Sequence, residues 1–398
     1  MATQKRSLSG RCWLMFSAVM LFLLFSAAIT FRRHLPSPRQ LKRRESLLEH
    51  VANSTLGFEK ILVINLPSRR DKRDAMSLAA ALTGLQLEYI DGAVDVEAKT
   101  LPPGGADSGR TPGELGNWRA HMDCLQRVVE LNLSSALILE DDSDWDLRIK
   151  SQMQEFAAAS RILLQPLRGT SDRFMDPTHL TTKSTDEPAS YHLGHESQVA
   201  EPVSSPYGDI AGWDLLWLGH CGARFPIPAE EAAPLGRVEI TDDPTVPETQ
   251  HLDPQFGGRE YIDQYPAHTR IVSHVRGNYC TLGYAVSQQG ARKILYEMAI
   301  HAFTGPTDLM LHQVCGDTDG RIRLTCLSVQ PQLFQHHRPL GDKSAFSDIS
   351  NVWSGQNKLA FTRNVRWSTH LNFGKLLAGK TDYVDLFKDG QEAIDLGA

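Results

Sequence analysis

Residues 136–142 read ALILEDD, so three carboxylates (Glu140, Asp141 and Asp142) follow directly on four apolar residues. Such an apolar run describes a short strand buried on both faces, as in parallel sheets. In open α/β sheets the ligand crevice lies just beyond the carboxyl ends of the strands. Carboxylates at that edge can hold a hard divalent cation, and a cation so held can in turn hold a diphosphate. Glu140 and Asp142 alternate along an extended chain and point to one side, with Asp141 pointing to the other. The first two are therefore assigned to the cation and Asp141 to their support. The competing reading is a solvated acidic turn.

Other residues with chemical capacity lie in similar places. Asn65 lies near the end of the run KILVINL (60–66) and Arg69 and Arg73 follow it, where arginines can neutralise phosphate bidentately. The alternative is a solvated basic helix start, an electrostatically poor arrangement. His121 is either a donor-site contact or a satisfied core histidine. Asp308, after Gly305-Pro306-Thr307, is either a reactive carboxylate or the N-cap of its own helix. Asp317 and Asp319 repeat a D-x-D spacing, but the flanking Gly316 and Gly320 favour a turn. His336 and His337 follow a β-like run, from which a third metal ligand, His336, can come.

The elements that must position these groups alternate. Residues 60–66 read as a strand, 69–82 as a helix with Met76, Ala79, Ala80 and Leu82 on its apolar side, and 87–91 as a second strand ending on Asp91-Gly92. After a Gly/Pro-rich loop, Thr111, Pro112 and Glu114 form the cap, first position and capping box of a helix. Its apolar stripe is Leu115, Trp118, Met122, Leu125, Val128 and Val129. The strand ALIL closes a β-α-β-α-β order, hence a mostly parallel sheet. A polar helix is expected from Asp146 to about 164, a long loop over 165–209, a strand at 213–218 and a second Pro-rich insertion over 223–268. A strand and helix come next at 279–286 and 288–298, then a late strand at 324–333.

Residues 13–31 carry no charge and as a helix span roughly 28 Å, the thickness of a bilayer core, so they read as a membrane anchor behind a short tail (1–12). A cleaved signal is the alternative. Residues 32–58 read as a stem, 59–350 as the principal domain and 351–398 as a C-terminal extension. Nine of the 41 Lys and Arg lie in residues 1–44, which have no acid, leaving 32 basic against 47 acidic residues in the remainder. That balance argues against nucleic acid as a partner. Basic residues after the span favour a cytosolic domain by charge alone. The sequons Asn53-Ser54-Thr55 and Asn132-Leu133-Ser134 favour the lumen. Five cysteines follow the anchor without a CxxC pair, so one or two disulfides are expected and no zinc site.

Several segments in order resemble glycosyltransferase family 25, which includes lipopolysaccharide and procollagen galactosyltransferases. They are ILVINL with Arg69, Arg70, Asp71 and Arg73; Asp91-Gly92; Gly113-Glu114-Leu115-Gly116 with Ala120-His121; Glu140-Asp141-Asp142; DLLWLG (214–219); YAVSQQGARKIL (284–295); and the pair Pro306-Thr307-Asp308 and Ser347-Asp348-Ile349. Ala120 stands where the family usually has Ser, and the two insertions stretch the spacing, as in divergent eukaryotic members. The resemblance implies a GT-A-like, Rossmann-type nucleotide-sugar domain. It implies Mn²⁺ or Mg²⁺ on the acidic motif, here Glu140 and Asp142, to which the late His336 is added as third ligand; the donor contacts expected are Asn65, Arg69, Arg73, Asp91 and His121. It also implies inverting transfer of a hexose, galactose first among them, from a UDP-sugar to a protein or glycan acceptor, in the Golgi or endoplasmic reticulum lumen. Asp308 would then take the acceptor proton, with Glu114, Asp317 and Asp348 next in line. Two other classes stay open: a metal-dependent hydrolase on the same acids, and a non-catalytic membrane-anchored binding protein.

Overall fold

The apolar run at residues 60–66 pairs in parallel on both sides. In chain order the main elements are β1 (Lys60–Asn65), α1 (Arg70–Thr83), β2 (Leu87–Asp91), α2 (Pro112–Glu130), β3 (Ser135–Glu140), β4 (Ser143–Trp145), α3 (Ile149–Leu164), β5 (Ser190–His192), β6 (Leu215–Gly219), β7 (Arg237–Ile240), α4 (Glu260–Gln264), β8 (Arg270–His274), β9 (Gly283–Ser287), α5 (Gln288–Leu295), α6 (Thr307–Gly316), β10 (Cys326–Gln330), β11 (Phe334–Arg338), β12 (Phe361–Thr362) and α7 (Phe373–Leu377). The computed structural model describes residues 47, 49–180, 187–228, 233–316, 320–350 and 352–396. The anchor expected at 13–31, the tail before it, and Asp317 and Asp319 lie outside the described residues. Among the described residues no helix is long and apolar enough to cross a membrane. The chain divides into residues 1–47 and 48–398, and all of these elements belong to the second unit.

The sheet runs β2-β1-β3-β9-β6-β10-β8-β7-β5. β1 pairs in parallel with β2 and β3, β6 with β10, and β5 with β7. β9 and β8 run the other way. The sheet is thus mixed α/β and mostly parallel, with an antiparallel strand at its centre that the β-α-β order did not announce. Ile61 and Val63 face one apolar layer and Leu62 the other. Both faces are covered, which is why these strands show no polar alternation. α1 and α3 cover the first face, and α2, α5 and α6 the second.

Local chemistry explains the best-defined helix. Thr111 Oγ1 accepts from Glu114 N at 3.2 Å, and Glu114 Oε2 accepts from Thr111 N at 2.9 Å. This reciprocal box satisfies two otherwise orphaned donors. The stripe Trp118, Met122, Leu125 and Val128 is buried, and Leu115 and Val129 pack at its margin.

Several expectations shift. α3 ends at Leu164 as expected, but most of the helix is buried, and only a narrow face with Lys150, Ser151, Gln154 and Glu155 is polar. Ile149, Met153, Phe156, Ile162 and Leu163 are fully buried against the sheet. The stem is shorter than residues 32–58, because Val51, Leu56 and Phe58 are core residues and Phe58 stacks on Tyr207 at 4.8 Å. Tyr207 itself belongs to the expected loop 165–209, whose β5 extends the sheet, while the second insertion supplies β7. The strand expected at 324–333 is two strands, β10 and β11.

Residues after 351 are woven into the same unit. β12 pairs with β11. The buried Asp144 carboxylate accepts from Thr362 Oγ1 (2.6 Å), from Ser368 Oγ, and from the backbone N–H groups of His370 (3.2 Å) and Trp145 (2.8 Å). His370 Nδ1 lies 2.9 Å from the same group. Burial opposes this charge, but His370, the hydroxyls and His337 outweigh it and hold the carboxyl far below its usual range. Its stabilisation is therefore present above the ordinary carboxylate pKa and lost as pH falls below it. Asp144→Ala leaves these donors buried and unpaired, and about 3–5 kcal/mol of stability should go with it. Urea denaturation at pH 7 checks this, and a loss under about 1 kcal/mol contradicts it.

Candidate functional site

Glu140 ends β3, and the chain turns at once through Asp141 and Asp142 into β4. β4 pairs antiparallel with β11 in the register Ser143 to His336. His337 N donates to Asp142 O at 2.8 Å. That ladder carries His336 to the acidic turn across nearly two hundred residues of sequence. Glu140, Asp142 and His336 consequently offer ligand atoms that all lie within 4.8 Å of one another. His336 Nε2 is 3.7 Å from Asp142 Oδ2. Two carboxylates and an imidazole form a donor set suited to a borderline or hard divalent cation such as Mn²⁺.

Supporting contacts fix each donor. Glu140 Oε1 accepts from Thr281 Oγ1 at 2.7 Å and lies 3.2 Å from His121 Nε2. His121 Nδ1 meets Tyr284 Oη at 2.9 Å. Burial opposes ionisation of Glu140, yet the contacts from His121 and Thr281 keep its carboxyl below the usual range. Asp142 is opposed by burial too, but His336, Lys72 and Arg338 hold it down at about 2. Burial pushes the His336 imidazole down to about 4, so its ring is neutral near pH 7. Asp141 points away, as the strand alternation requires. Its carboxylate accepts from Asn65 Nδ2 at 2.9 Å and pairs with Lys72 Nζ at 3.1 Å. Burial nevertheless raises it to about 6.

Glu140, Asp141, Asp142, His336, Lys72 and Arg338 line a cavity of about 820 Å³ at the carboxyl edge of β1 and β3. One wall is formed by Ile64, Leu66, the loop Gly92–Val94 and the start of α2. The helix glycines permit that wall. A Cβ on Gly116 would sit 2.3 Å from Ala93 O, and one on Gly113 would sit 2.8 Å from Ile349 O. The Gly-x-x-Gly spacing puts both close approaches on one face of α2.

The residues singled out in the sequence divide. Glu140, Asp142, His336 and Asp308 line this cavity together. Asp308 is not the cap of its helix, since it sits within the first turn of α6. Its Oδ2 accepts from Cys280 N at 2.8 Å and its Oδ1 from Leu309 N at 2.9 Å. Four residues expected at the donor do not line this cavity. His121 is fully buried and sits behind Glu140, because it is turned one helix position from Ala120, which does line the cavity. Asn65 is buried and acts through Asp141. Arg73 is exposed over the Tyr89 ring at 4.2 Å, outside the cavity. Asp91 is exposed at the end of β2, and the neighbouring Gly92 takes the cavity position.

Arg69 is held by Asp348 (2.5 Å) and Asp71 (2.7 Å) at the cavity's margin. The cation missed in the sequence is Lys72. It is paired with Asp141 and, at 2.7 Å, with Asp348. Burial opposes its charge, but Asp142, Asp141 and Asp348 keep its pKa above the usual value. The available signal was its spacing, three residues after Arg69 and hence on the same helix face. Thr281, Arg338 and the disulfide Cys221–Cys280 were also missed, and all of them line the cavity.

No protein-family model matches the chain. Curated relatives do. Procollagen galactosyltransferase 1 of Danio rerio is 32% identical over 112 residues, which cover 25% of this chain and 18% of the relative. An inactive glycosyltransferase 25 family member 3 of Homo sapiens is 29% identical over 114 residues, covering 25% of this chain and 19% of the relative. Procollagen galactosyltransferase 1-B of Xenopus laevis is 23% identical over 323 residues, covering 75% of this chain and 39% of the relative. The chain thus spans less than a fifth of the first two and about two fifths of the third. With the ordered segments, these matches show that the chain is similar to procollagen galactosyltransferases and other members of glycosyltransferase family 25.

Proposed function

We propose that this chain is a metal-dependent glycosyltransferase of GT-A-like architecture, moving a hexose, galactose first among the candidates, from a UDP-sugar to a protein or glycan hydroxyl with inversion. The observation that carries the reading is the convergence of Glu140, Asp142 and His336 in a cavity at the carboxyl edge of a mostly parallel sheet. Mn²⁺ or Mg²⁺ held by these three residues would supply Lewis-acid stabilisation of a diphosphate leaving group. Lys72, beside Asp141 and Asp142, is the cation placed to meet phosphate charge. The wall of Ile64, Leu66 and the Gly92–Val94 loop offers an apolar face for a nucleoside. Asp308 is the acid assigned to the acceptor proton. Its rivals are committed elsewhere, Asp348 to Arg69 and Lys72 and Glu114 to its capping box and Arg110.

Calorimetry of UDP with and without Mn²⁺ tests the reading: UDP should bind in the presence of the ion and lose most of that affinity in its absence. The pH dependence of Mn²⁺ binding alone follows from the donors. Each must be deprotonated to bind. His336 titrates at about 4, Asp142 at about 2 and Glu140 below its usual range. Affinity should therefore hold from pH 7.5 to about 5.5 and fall as pH nears about 4. The only slope expected in the upper range is a shallow rise from ionisation of Asp141. A midpoint near 6.5, the ordinary histidine value, contradicts the assignment.

We also place the domain in the lumen of the Golgi or endoplasmic reticulum, behind the anchor at 13–31. Two disulfides, Cys221–Cys280 and Cys315–Cys326, suit an oxidising compartment. Asn53 and Asn132 are both exposed, so either can accept a glycan. A glycosidase-sensitive mass shift and protection from protease in sealed microsomes are expected. Digestion without any shift reverses the topology.

A further inference from the structure

We propose that the Cys221–Cys280 disulfide positions the metal-binding donors, a role that Cys315–Cys326 does not share. This rests on the metal reading of Glu140, Asp142 and His336. The bond joins the segment just after β6 to the segment just before β9, spanning 59 residues that include the second insertion. Both cysteines line the cavity. Cys221 Sγ lies 3.7 Å from His336 Nδ1. A ring proton directed at that sulfur leaves Nε2, on the Asp142 side, as the lone-pair nitrogen.

On the other side of the bond, Cys280 has a left-handed backbone (φ 62°). A non-glycine residue persists there only where its surroundings over-determine it. Three constraints do so: the disulfide, the Cys280 N–H donated to Asp308 Oδ2 at 2.8 Å, and the Cys280 carbonyl accepting from Trp217 Nε1 at 3.0 Å. The next residue, Thr281, gives its hydroxyl hydrogen bond to Glu140 Oε1. One cross-link therefore braces His336 directly and Glu140 through Thr281, and it touches the carboxylate assigned as base. Cys315–Cys326 lies in the apolar layer between α6 and β10 and lines none of this cavity.

The test compares Mn²⁺ affinity, by titration calorimetry and by the electron paramagnetic resonance signal of free ion, across full-chain variants. Cys221→Ser/Cys280→Ser should weaken Mn²⁺ by about 10- to 100-fold, the usual effect of losing an outer-shell support. Cys315→Ser/Cys326→Ser should stay within about twofold of the unmodified protein even where its melting temperature falls. Cys221→Ser/Cys280→Gly removes the cross-link while glycine takes the left-handed backbone without strain. It should fold and still lose Mn²⁺ affinity. Thr281→Val should reproduce part of the loss and Thr281→Ser restore it. Unchanged affinity in the glycine variant, or equal losses in the two disulfide variants, overturns the proposal alone. An unmodified protein that binds no Mn²⁺ overturns the metal reading and this proposal with it.

Discussion

Asp142→Asn is expected to abolish Mn²⁺-stimulated UDP binding and to lower sugar transfer by on the order of 10³-fold or more, while the fold stays intact. The size reflects the chemistry of the leaving group, whose Lewis-acid stabilisation supplies several kcal/mol, and each 1.36 kcal/mol is tenfold in rate. The fold survives because Asp142 is not a packing residue. Its carboxylate faces Arg338 at 3.2 Å and His336 at 3.7 Å at the cavity. Asparagine keeps one oxygen for Arg338 but loses the charge and half of the acceptor capacity. Calorimetry with circular dichroism as a fold control decides it. A folded variant with undiminished metal-dependent binding removes Asp142 from the donor set.

Asp308→Asn is expected to lower turnover by about 10²- to 10⁴-fold, the usual contribution of a general base. UDP and Mn²⁺ affinity should barely change, because the group acts on the acceptor proton rather than on the donor. Asparagine can still accept the Cys280 N–H, so the 2.8 Å contact that orients this side chain need not be lost. Single-turnover kinetics beside UDP titration separate the two effects. A variant that loses donor affinity in proportion to rate is a structural residue, and the base is then sought at Asp348 or Glu114.

The sheet was legible where strands were buried on both faces. ILVI (61–64) and ALIL (136–139) could be read from the chain alone because nothing polar interrupts them. The capping box of α2 was legible for a local reason, since cap, Pro and Glu lie within four residues. The antiparallel β9 was not legible, because a strand's direction is set by partners remote in sequence. His336 was placed with the acids only as a late ligand following a β-like run. The β4–β11 ladder that brings it there pairs residues nearly two hundred positions apart. His121 and Arg73 lie off the cavity lining for one reason: a helix turns 100° per residue, so a neighbour of a cavity residue faces elsewhere. Lys72 and Thr281 were missed because each gains its meaning from a partner remote in sequence, Asp141 for the first and Glu140 for the second. Among the N-terminal expectations, the stem boundary failed because Leu56 and Phe58 are isolated apolar residues whose burial depends on Tyr207.

A donor screen tests the central claim most directly. The purified full chain is incubated with a panel of nucleotide sugars, with Mn²⁺ or with a chelator, and released nucleoside diphosphate is measured. UDP should be released from a UDP-hexose, UDP-galactose first, only when the ion is present, and that release should be lost in Asp142→Asn. Metal-dependent UDP binding with no release from any donor or onto any offered acceptor would instead mark a non-catalytic binding protein. Release that needs no metal, or that ignores Asp142, would contradict the metal-dependent mechanism at its core.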